Sequence, residues 1–424
     1  MSATTPSPQE AYIHGQLVNL VRTGQAVTRP ALEQQTRLGR KVVAQRVQQA
    51  IDVGLLEDGD LAPSGGGRPS RLLRFRAEAG HVFAAVLGAT EVTAAVSTLD
   101  GTLLASLHED WDAADRPDET LEVLDGLFVR LARRTRVEPW AFGIGVAGPV
   151  DFGSGRLVAP PILPGWDGYS VRSWLRERYD APVWVDNDVN LMALGEWHKG
   201  TPNDGRDLLY VFVDEGVGAG LVSRGRVFRG ESGAAGDIGH TQVTEDPTVV
   251  CRCGRTGCLE AVTGGWGLVR RLTARAAESP LLSERLAGQG RLTAEDVGMA
   301  ARAGDPLAAA EVESGARLIG VTAANLVNFV NPGTVVLGGG AVRVGDSVFE
   351  VFADTLMRRA GTLAAQRLRV RPASLDFREG VTGAAIMAIE QMFGPASLGL
   401  WIENGSPIGY ATSLQRTSVL EGLT

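Results

Sequence analysis

The stretch that decides the fold begins at Gly239-His240 and, after ten residues, reads Cys251-Arg252-Cys253-Gly254-Arg255-Thr256-Gly257-Cys258-Leu259-Glu260. It holds every cysteine of the chain. A structural zinc site takes four nitrogen or sulfur ligands at the corners of a tetrahedron, and Cys₃His is one of its standard sets. Cys251 and Cys253 are one residue apart. Gly254 and Gly257 let the backbone turn so that Cys258 returns to the same point. An odd number of thiols with an i, i+2 pair suits a disulfide badly. The alternative is three idle thiols, but their confinement to eight residues argues for a metal. The expected zinc ligands are His240, Cys251, Cys253 and Cys258.

The pattern GH-x₁₀-CxCGxxGCLE resembles the zinc signature of the ROK family (repressors, open reading frames and sugar kinases). The resemblance implies an α/β, actin/hexokinase-like (ribonuclease H-like) fold of two lobes around a cleft, with a zinc loop over residues 240–260 that carries sugar ligands. It implies that His240 binds zinc through one ring nitrogen and faces the sugar with the other. It also implies that Glu260 accepts hydrogen bonds from sugar hydroxyls.

The chain has 424 residues, enough for two or three domains with sizeable cores. With 44% hydrophobic and 21% charged residues it reads as globular, and no apolar run reaches membrane-span length. Met1-Ser2-Ala3-Thr4-Thr5-Pro6 lacks the basic start and apolar core of a signal peptide. Thiols grouped as metal ligands fit a reducing cytoplasm. The net charge is −8, yet the first 76 residues carry ten basic and six acidic side chains. A basic head on an acidic body points to a polyanion as the partner of the head.

Residues 1–11 are expected to be disordered, and residues 12–76 to form a winged helix-turn-helix. Ile13, Leu17, Leu20 and Val21 recur at helical spacing up to Gly24. Thr28 caps a short second helix with Pro30 in its first turn. Leu38-Gly39 makes the tight turn, and a third helix runs from Arg40 to Asp52 with Val43, Val47, Ala50 and Ile51 inward. Leu55-Leu56 enters a strand, Gly65-Gly66-Gly67-Arg68-Pro69 is the wing tip, and Leu72-Leu73-Arg74-Phe75 returns. Arg40, Lys41, Gln45 and Gln48 face outward, where they can reach a major groove, and Arg68 can reach phosphate or the minor groove. A winged helix can also serve protein contacts. The GGRP wing resembles the head of ROK repressors, which favours DNA.

Residues 77–393 are expected to form the two-lobed ROK domain, and residues 394–424 extend past the family pattern. The resemblance carries over position by position. Asp186-Asn187-Asp188-Val189-Asn190 at a strand end matches the family segment in which the Asp at 188 is the general base of the kinases and the Asn at 187 binds sugar. Asp237, in Gly236-Asp237-Ile238-Gly239-His240, replaces the usual Glu and keeps a shorter carboxylate for a sugar hydroxyl. Ile162 stands where PNLPGW has its Asn, and Ala147 where the first Pro of GxGxPGPVD is usual. The Gly turn at 338–340, which packs adenosine in the kinases, is expected to be a scaffold turn here. The phosphate side departs most. Val86 replaces the Asp of the first phosphate loop, and Asp214 and Glu215 stand in the Gly-rich turn where the kinases place a Thr hydroxyl on phosphate. Two desolvated carboxylates beside a triphosphate would repel it by several kcal/mol.

The sequence therefore describes a non-enzymatic, sugar-responsive transcriptional repressor. It would bind near-palindromic operator DNA as a homodimer or dimer of dimers. It would sense a monosaccharide or derivative through Asn187, Asp188, Asp237, His240 and Glu260, and contain structural Zn2+. The rival readings are an active ATP-dependent hexose kinase with a DNA-binding head, a repressor controlled by a protein partner, and a structural dimer without ligand.

Overall fold

A computed structural model of the chain describes residues 8–62, 70–201, 204–340 and 345–421. The head contains α1 (Pro8–Arg22), α2 (Arg29–Thr36), α3 (Arg40–Asp52) and the antiparallel hairpin of β1 (Leu56–Leu61) and β2 (Arg71–Phe75), with Leu56 opposite Phe75. Helix α1 starts at Pro8, so residues 8–11 are helical rather than disordered, and residues 1–7 lie outside the described residues. The helix is held from outside: Leu17, Val18 and Val21 are buried in a core shared with the C-terminal segment. The Thr28 hydroxyl accepts from the Ala31 N–H at 3.2 Å, capping α2. The α2–α3 turn takes its left-handed residue at Arg37, with φ 57°, and Gly39 is extended as the N-cap of α3. Leu38 and Gly39 thus lie in the turn, as the sequence implied, with Arg37 as its left-handed residue. The wing tip, with Arg68, lies outside the described residues.

The body repeats one plan twice. In the first sheet the order is β5-β4-β3-β6-β9: β3 (His81–Leu87), β4 (Glu91–Thr98), β5 (Leu103–Asp110), β6 (Pro139–Val146) and β9 (Val183–Asn187). A short hairpin of β7 (Val150–Asp151) and β8 (Arg156–Leu157) sits apart. In the second sheet the order is β12-β11-β10-β13-β14: β10 (Leu208–Val213), β11 (Val217–Ser223), β12 (Arg226–Val227), β13 (Thr334–Gly338) and β14 (Arg369–Pro372). Each sheet opens with an antiparallel meander and continues into parallel strands. This duplication defines the two hexokinase-like lobes.

Two helices join the lobes. The helix Asp188–Lys199 leaves β9, and the helix Glu379–Phe393 closes the body. Their backbones touch: a Cβ on Gly195 would lie 2.1 Å from the Glu379 carbonyl oxygen, and one on Gly383 1.8 Å from that of Leu191. Only glycine permits that approach.

Residues 394–421 are ordered as two further helices, Pro395–Trp401 and Ala411–Glu421. They fill the seam between head and body. Trp401 is fully buried, stacks edge-on against Phe393 and Trp140, and donates its indole N–H to the Met392 carbonyl at 3.0 Å. Phe393 meets Phe75 of the wing edge-on at 5.5 Å. Asn19 donates its amide to the Phe393 carbonyl, and Arg22 pairs with Glu390 at 2.9 Å. Head, first lobe and tail thus share one continuous core.

Candidate effector cleft and metal centre

A cavity of about 200 Å³ opens between the two sheets. Strand β9 delivers Asn187 and Asp188 to its floor, because the helix begins there and both side chains serve its first turn. Asn187 is the N-cap, and its carbonyl accepts from the N–H groups of Val189 and Asn190 at 3.0 and 3.2 Å. Its amide donates to the Gly148 carbonyl at 2.9 Å and to Asp188 Oδ1 at 3.1 Å. Asp188 accepts from Val189 N–H at 2.9 Å. Burial pushes the Asp188 carboxyl up to about 7, with Asp186 and Glu91 adding to the rise and backbone N–H groups opposing it.

Opposite stand the residues of the metal loop. Glu260 is buried, accepts from Val217 N–H at 3.1 Å and from the Trp266 indole at 3.3 Å, and lines the cavity. His240 lines the cavity too. Its Nε2 lies 3.8 Å from Asp237 Oδ1, and its Nδ1 lies 3.7 Å from Cys251 Sγ. The ring thus faces the cleft with one nitrogen and the thiols with the other. Burial raises the Asp237 carboxyl, and His240 opposes that rise. The structure gathers Asn187, Asp188, Asp237, His240 and Glu260 around one cavity.

One ligand atom from each of His240, Cys251, Cys253 and Cys258 falls within 4.8 Å of all the others. Cys253 Sγ and Cys258 Sγ are 3.7 Å apart. A tetrahedron with arms of about 2.3 Å has edges of roughly 3.8 Å, so the donors fit a metal of zinc's size and taste for thiolates. Gly257 makes the return possible: its φ is +75°, and a Cβ there would lie 1.9 Å from the Thr244 carbonyl oxygen. The cluster can hold a metal ion.

Val86 is buried against Gly380 of the closing helix. Asp214 and Glu215 line the cavity from the β10–β11 turn. Arg252, between two of the cysteines, lies 3.9 Å from Glu215 and stacks over the Trp266 ring. Ile162 also lines the cavity. Behind the Gly340 turn a second cavity of about 250 Å³ is walled by Leu268, Val297, Val312 and Ile319. The turn therefore borders open space.

On α3, Arg40, Lys41, Gln45 and Gln48 are all exposed, although Gln48 donates to Asp52 at 2.8 Å. Part of the head's positive charge is used internally: Arg29 pairs with Asp58 at 2.7 Å, Arg74 with Asp60 at 2.5 Å, and Arg22 with Glu390.

Sequence reasoning missed the pair Asp186–Arg229. Asp186 is buried and receives Arg229 Nε at 2.8 Å and Nη2 at 2.7 Å. Arg229 lies 4.0 Å from the centre of the Phe152 ring. This pair ties the loop after β12 to the end of β9, across the lobes. The partners are 43 residues apart, and no local pattern marks them.

Two hexokinase-like lobes, a cleft ringed by polar side chains and a Cys₃His loop define a ROK-type domain. The chain belongs to the ROK family, which it matches over residues 83–391. It is 31% identical to a glucokinase of Halalkalibacterium halodurans over 72% of this chain and 94% of that protein. It is 26% identical to a xylose repressor of Caldicellulosiruptor bescii over 86% of this chain and 92% of that one. Its fold follows the crystal structure of a ROK family transcriptional regulator described as a homologue of the E. coli MLC protein. The TM-score is 0.78 at 22% identity, covering 94% of this chain and all of that one. Among the described residues no single helix is long and apolar enough to cross a membrane.

Proposed function

We propose that this protein is a DNA-binding transcriptional repressor of carbohydrate genes whose operator affinity is set by a saccharide in the cleft. One observation carries the reading: the winged helix shares a continuous core with the closing helix Glu379–Phe393, which lies backbone to backbone on the helix that starts at Asn187-Asp188. A ligand shifts such a system only through different affinity for its two states. Hydroxyls held by Asp188 from one lobe and by Glu260 and His240 from the other favour the closed state. The long overlap with a xylose repressor, which exceeds the ROK match itself, supports a regulator that includes the head.

His240, Cys251, Cys253 and Cys258 would hold zinc, which when bound supplies a rigid cross-link under the loop bearing Glu260. On DNA, α3 would place Lys41 and Gln45 in the major groove, flanked by Arg40 and Gln48, with Arg68 of the wing on the backbone or minor groove. Two heads in a homodimer or dimer of dimers would read a near-palindromic operator.

An active kinase is the second reading. Asp188, buried with its carboxyl near 7, has the character of a general base, and the cavity behind Gly340 offers space on the nucleotide side. Against it stand Val86, Asp214 and Glu215 at the phosphate positions. An ADP-release assay with magnesium, ATP and a hexose panel separates the readings. The repressor account expects no sugar-dependent ADP above background, and turnover at an enzyme-like rate of about 1 per second or faster contradicts it.

A further inference from the structure

The segment after β12 is a closed loop of the second lobe. Phe228 N–H donates to the Leu221 carbonyl and Ala219 N–H to the Gly236 carbonyl, both at 2.8 Å, so both ends of the loop are bonded to β11. Inside it, Ala235 N–H donates to the Arg229 carbonyl at 3.1 Å. Yet its outer contacts are with the first lobe. Arg229 places Nε at 2.8 Å and Nη2 at 2.7 Å from Oδ2 of buried Asp186, and its guanidinium lies 4.0 Å from the centre of the Phe152 ring. Gly233 is pressed on the same lobe: its φ is +83°, and a Cβ there would lie 2.7 Å from the Val150 carbonyl oxygen. Three separate contacts make this loop a strap from one lobe onto the other.

The strap ends at Asp237, which lines the cavity beside His240. The other oxygen of Asp186, Oδ1, accepts the Asn187 backbone N–H at 2.8 Å and the Asn190 amide at 3.1 Å. One carboxylate therefore holds the start of the helix that carries Asn187 and Asp188 with one oxygen, and the strap that leads to Asp237 with the other. Resting on the saccharide reading, we infer that Arg229 is a positioning residue of the effector site: through Asp186 it clasps the strap to the first lobe, so that Asp237 meets a bound saccharide together with Asn187 and Asp188. Desolvation offsets much of the attraction in a buried ion pair. What this pair supplies is a fixed distance between strap and helix start.

The test is calorimetric titration of the full-length, metal-loaded protein with D-glucose, D-mannose, D-xylose and N-acetyl-D-glucosamine. Removing Arg229 alone would strand the buried Asp186 charge, so the clasp is removed as Asp186→Asn/Arg229→Met, with a thermal melt and operator binding without sugar to report folding. The expected result is that this variant binds the best sugar at least about tenfold more weakly than wild type. Arg229→Lys, which keeps a cation beside Asp186, should recover part of that loss. Asp237→Asn should weaken wild type about tenfold but the clasp-free protein by less than about threefold, because the strap no longer presents that side chain. Clasp-free protein that binds sugar as wild type does overturns the inference and leaves the saccharide reading standing. Effects of the two changes that simply multiply overturn the positioning role, since Arg229 then acts apart from Asp237. If the clasp-free protein does not fold, Gly233→Ala decides: it keeps both charges, lifts the strap from Val150 and should weaken sugar binding in the same coupled way, so wild-type affinity in it overturns the inference. Binding of no sugar by the wild type overturns the reading beneath as well.

Discussion

The two ends of the cleft are built on opposite principles. At the end proposed for the sugar the side chains are held: Asn187 caps a helix with its carbonyl and donates its amide to the Gly148 carbonyl, Asp188 and Glu260 accept backbone N–H groups, and His240 is fixed between Asp237 and Cys251. At the hairpin-turn end stand two glycine-bearing turns, but Val86 is apolar, and Asp214 and Glu215 add negative charge. On the proposed reading, preorganisation for hydroxyls and stabilisation of phosphate are separable properties of one fold. A protein can keep the first and lose the second, and what remains is a switch.

The metal loop underlies the sugar end, so it offers the strongest way to break the contrast. Cys258 is buried at 1% exposure inside the cluster. Cys258→Ser should release the metal, lower stability by several kcal/mol, on the order of 10 °C in Tm, and erase sugar binding. Metal content by mass spectrometry with a thermal melt measures this. A variant that keeps its metal and its melting temperature would contradict the proposed zinc site.

The next largest effect is expected at the seam. Trp401→Ala leaves a cavity between Trp140 and Phe393 and should cost about 3–5 kcal/mol. Because this seam lies between closing helix and head, the variant should also bind sugar normally while losing sugar control of DNA binding. Calorimetry beside operator anisotropy separates the two, and intact control would show that coupling runs elsewhere.

A subtler probe is pH. The Asp188 carboxyl sits near 7 in the folded protein, against roughly 3.9 in an unfolded chain. Its folded value is raised, so its contribution to stability is complete below pH 4 and is lost as pH rises through 7. Asp188→Asn should therefore stabilise the protein at pH 8 by an amount on the order of a few kcal/mol, and flatten the decline in stability between pH 5 and 8. Thermal melts of both proteins across that range provide the check. A parallel pair of pH curves would show that burial does not disfavour the ionised form.

The smallest effect concerns the head. Gln45→Ala should relax base preference at one operator position by about 1–3 kcal/mol. Lys41→Ala should weaken all sequences alike and lower the salt slope by about one unit. Selection from a random DNA library with each variant distinguishes base contact from phosphate contact.

Legibility in the sequence followed locality. The metal ligands lie within one short stretch with turn glycines, and the structure brings their donor atoms together. That a strand delivers Asp186-Asn187-Asp188 to a helix was readable because the elements are contiguous, although strand and helix meet at Asn187-Asp188 with no linker between them. Asp186–Arg229 was not, since nothing near Arg229 announces a buried partner in the other lobe. The tail was equally opaque. Leu398, Trp401, Ile402 and Leu414 form no long periodic run, and their burial depends on surfaces supplied by α1 and the closing helix. The α2–α3 turn was readable at Leu38-Gly39, but its left-handed residue, Arg37, the C-cap of α2, carries no local signal. The count of basic residues in the head also overstated its free charge, because pairs such as Arg74–Asp60 form only once the hairpin closes.

The central claim is that sugar and operator are linked through this molecule. The direct measurement is fluorescence anisotropy of a library-selected operator duplex titrated with protein, with and without saturating amounts of the best-binding sugar, for wild type and Asp188→Ala. The account predicts that sugar shifts the wild-type operator Kd about 5- to 150-fold, that operator DNA shifts sugar affinity by the same factor, and that Asp188→Ala binds operator normally but ignores sugar. A wild-type operator Kd that stays the same in saturating sugar, or an Asp188→Ala protein that responds as wild type does, would contradict it.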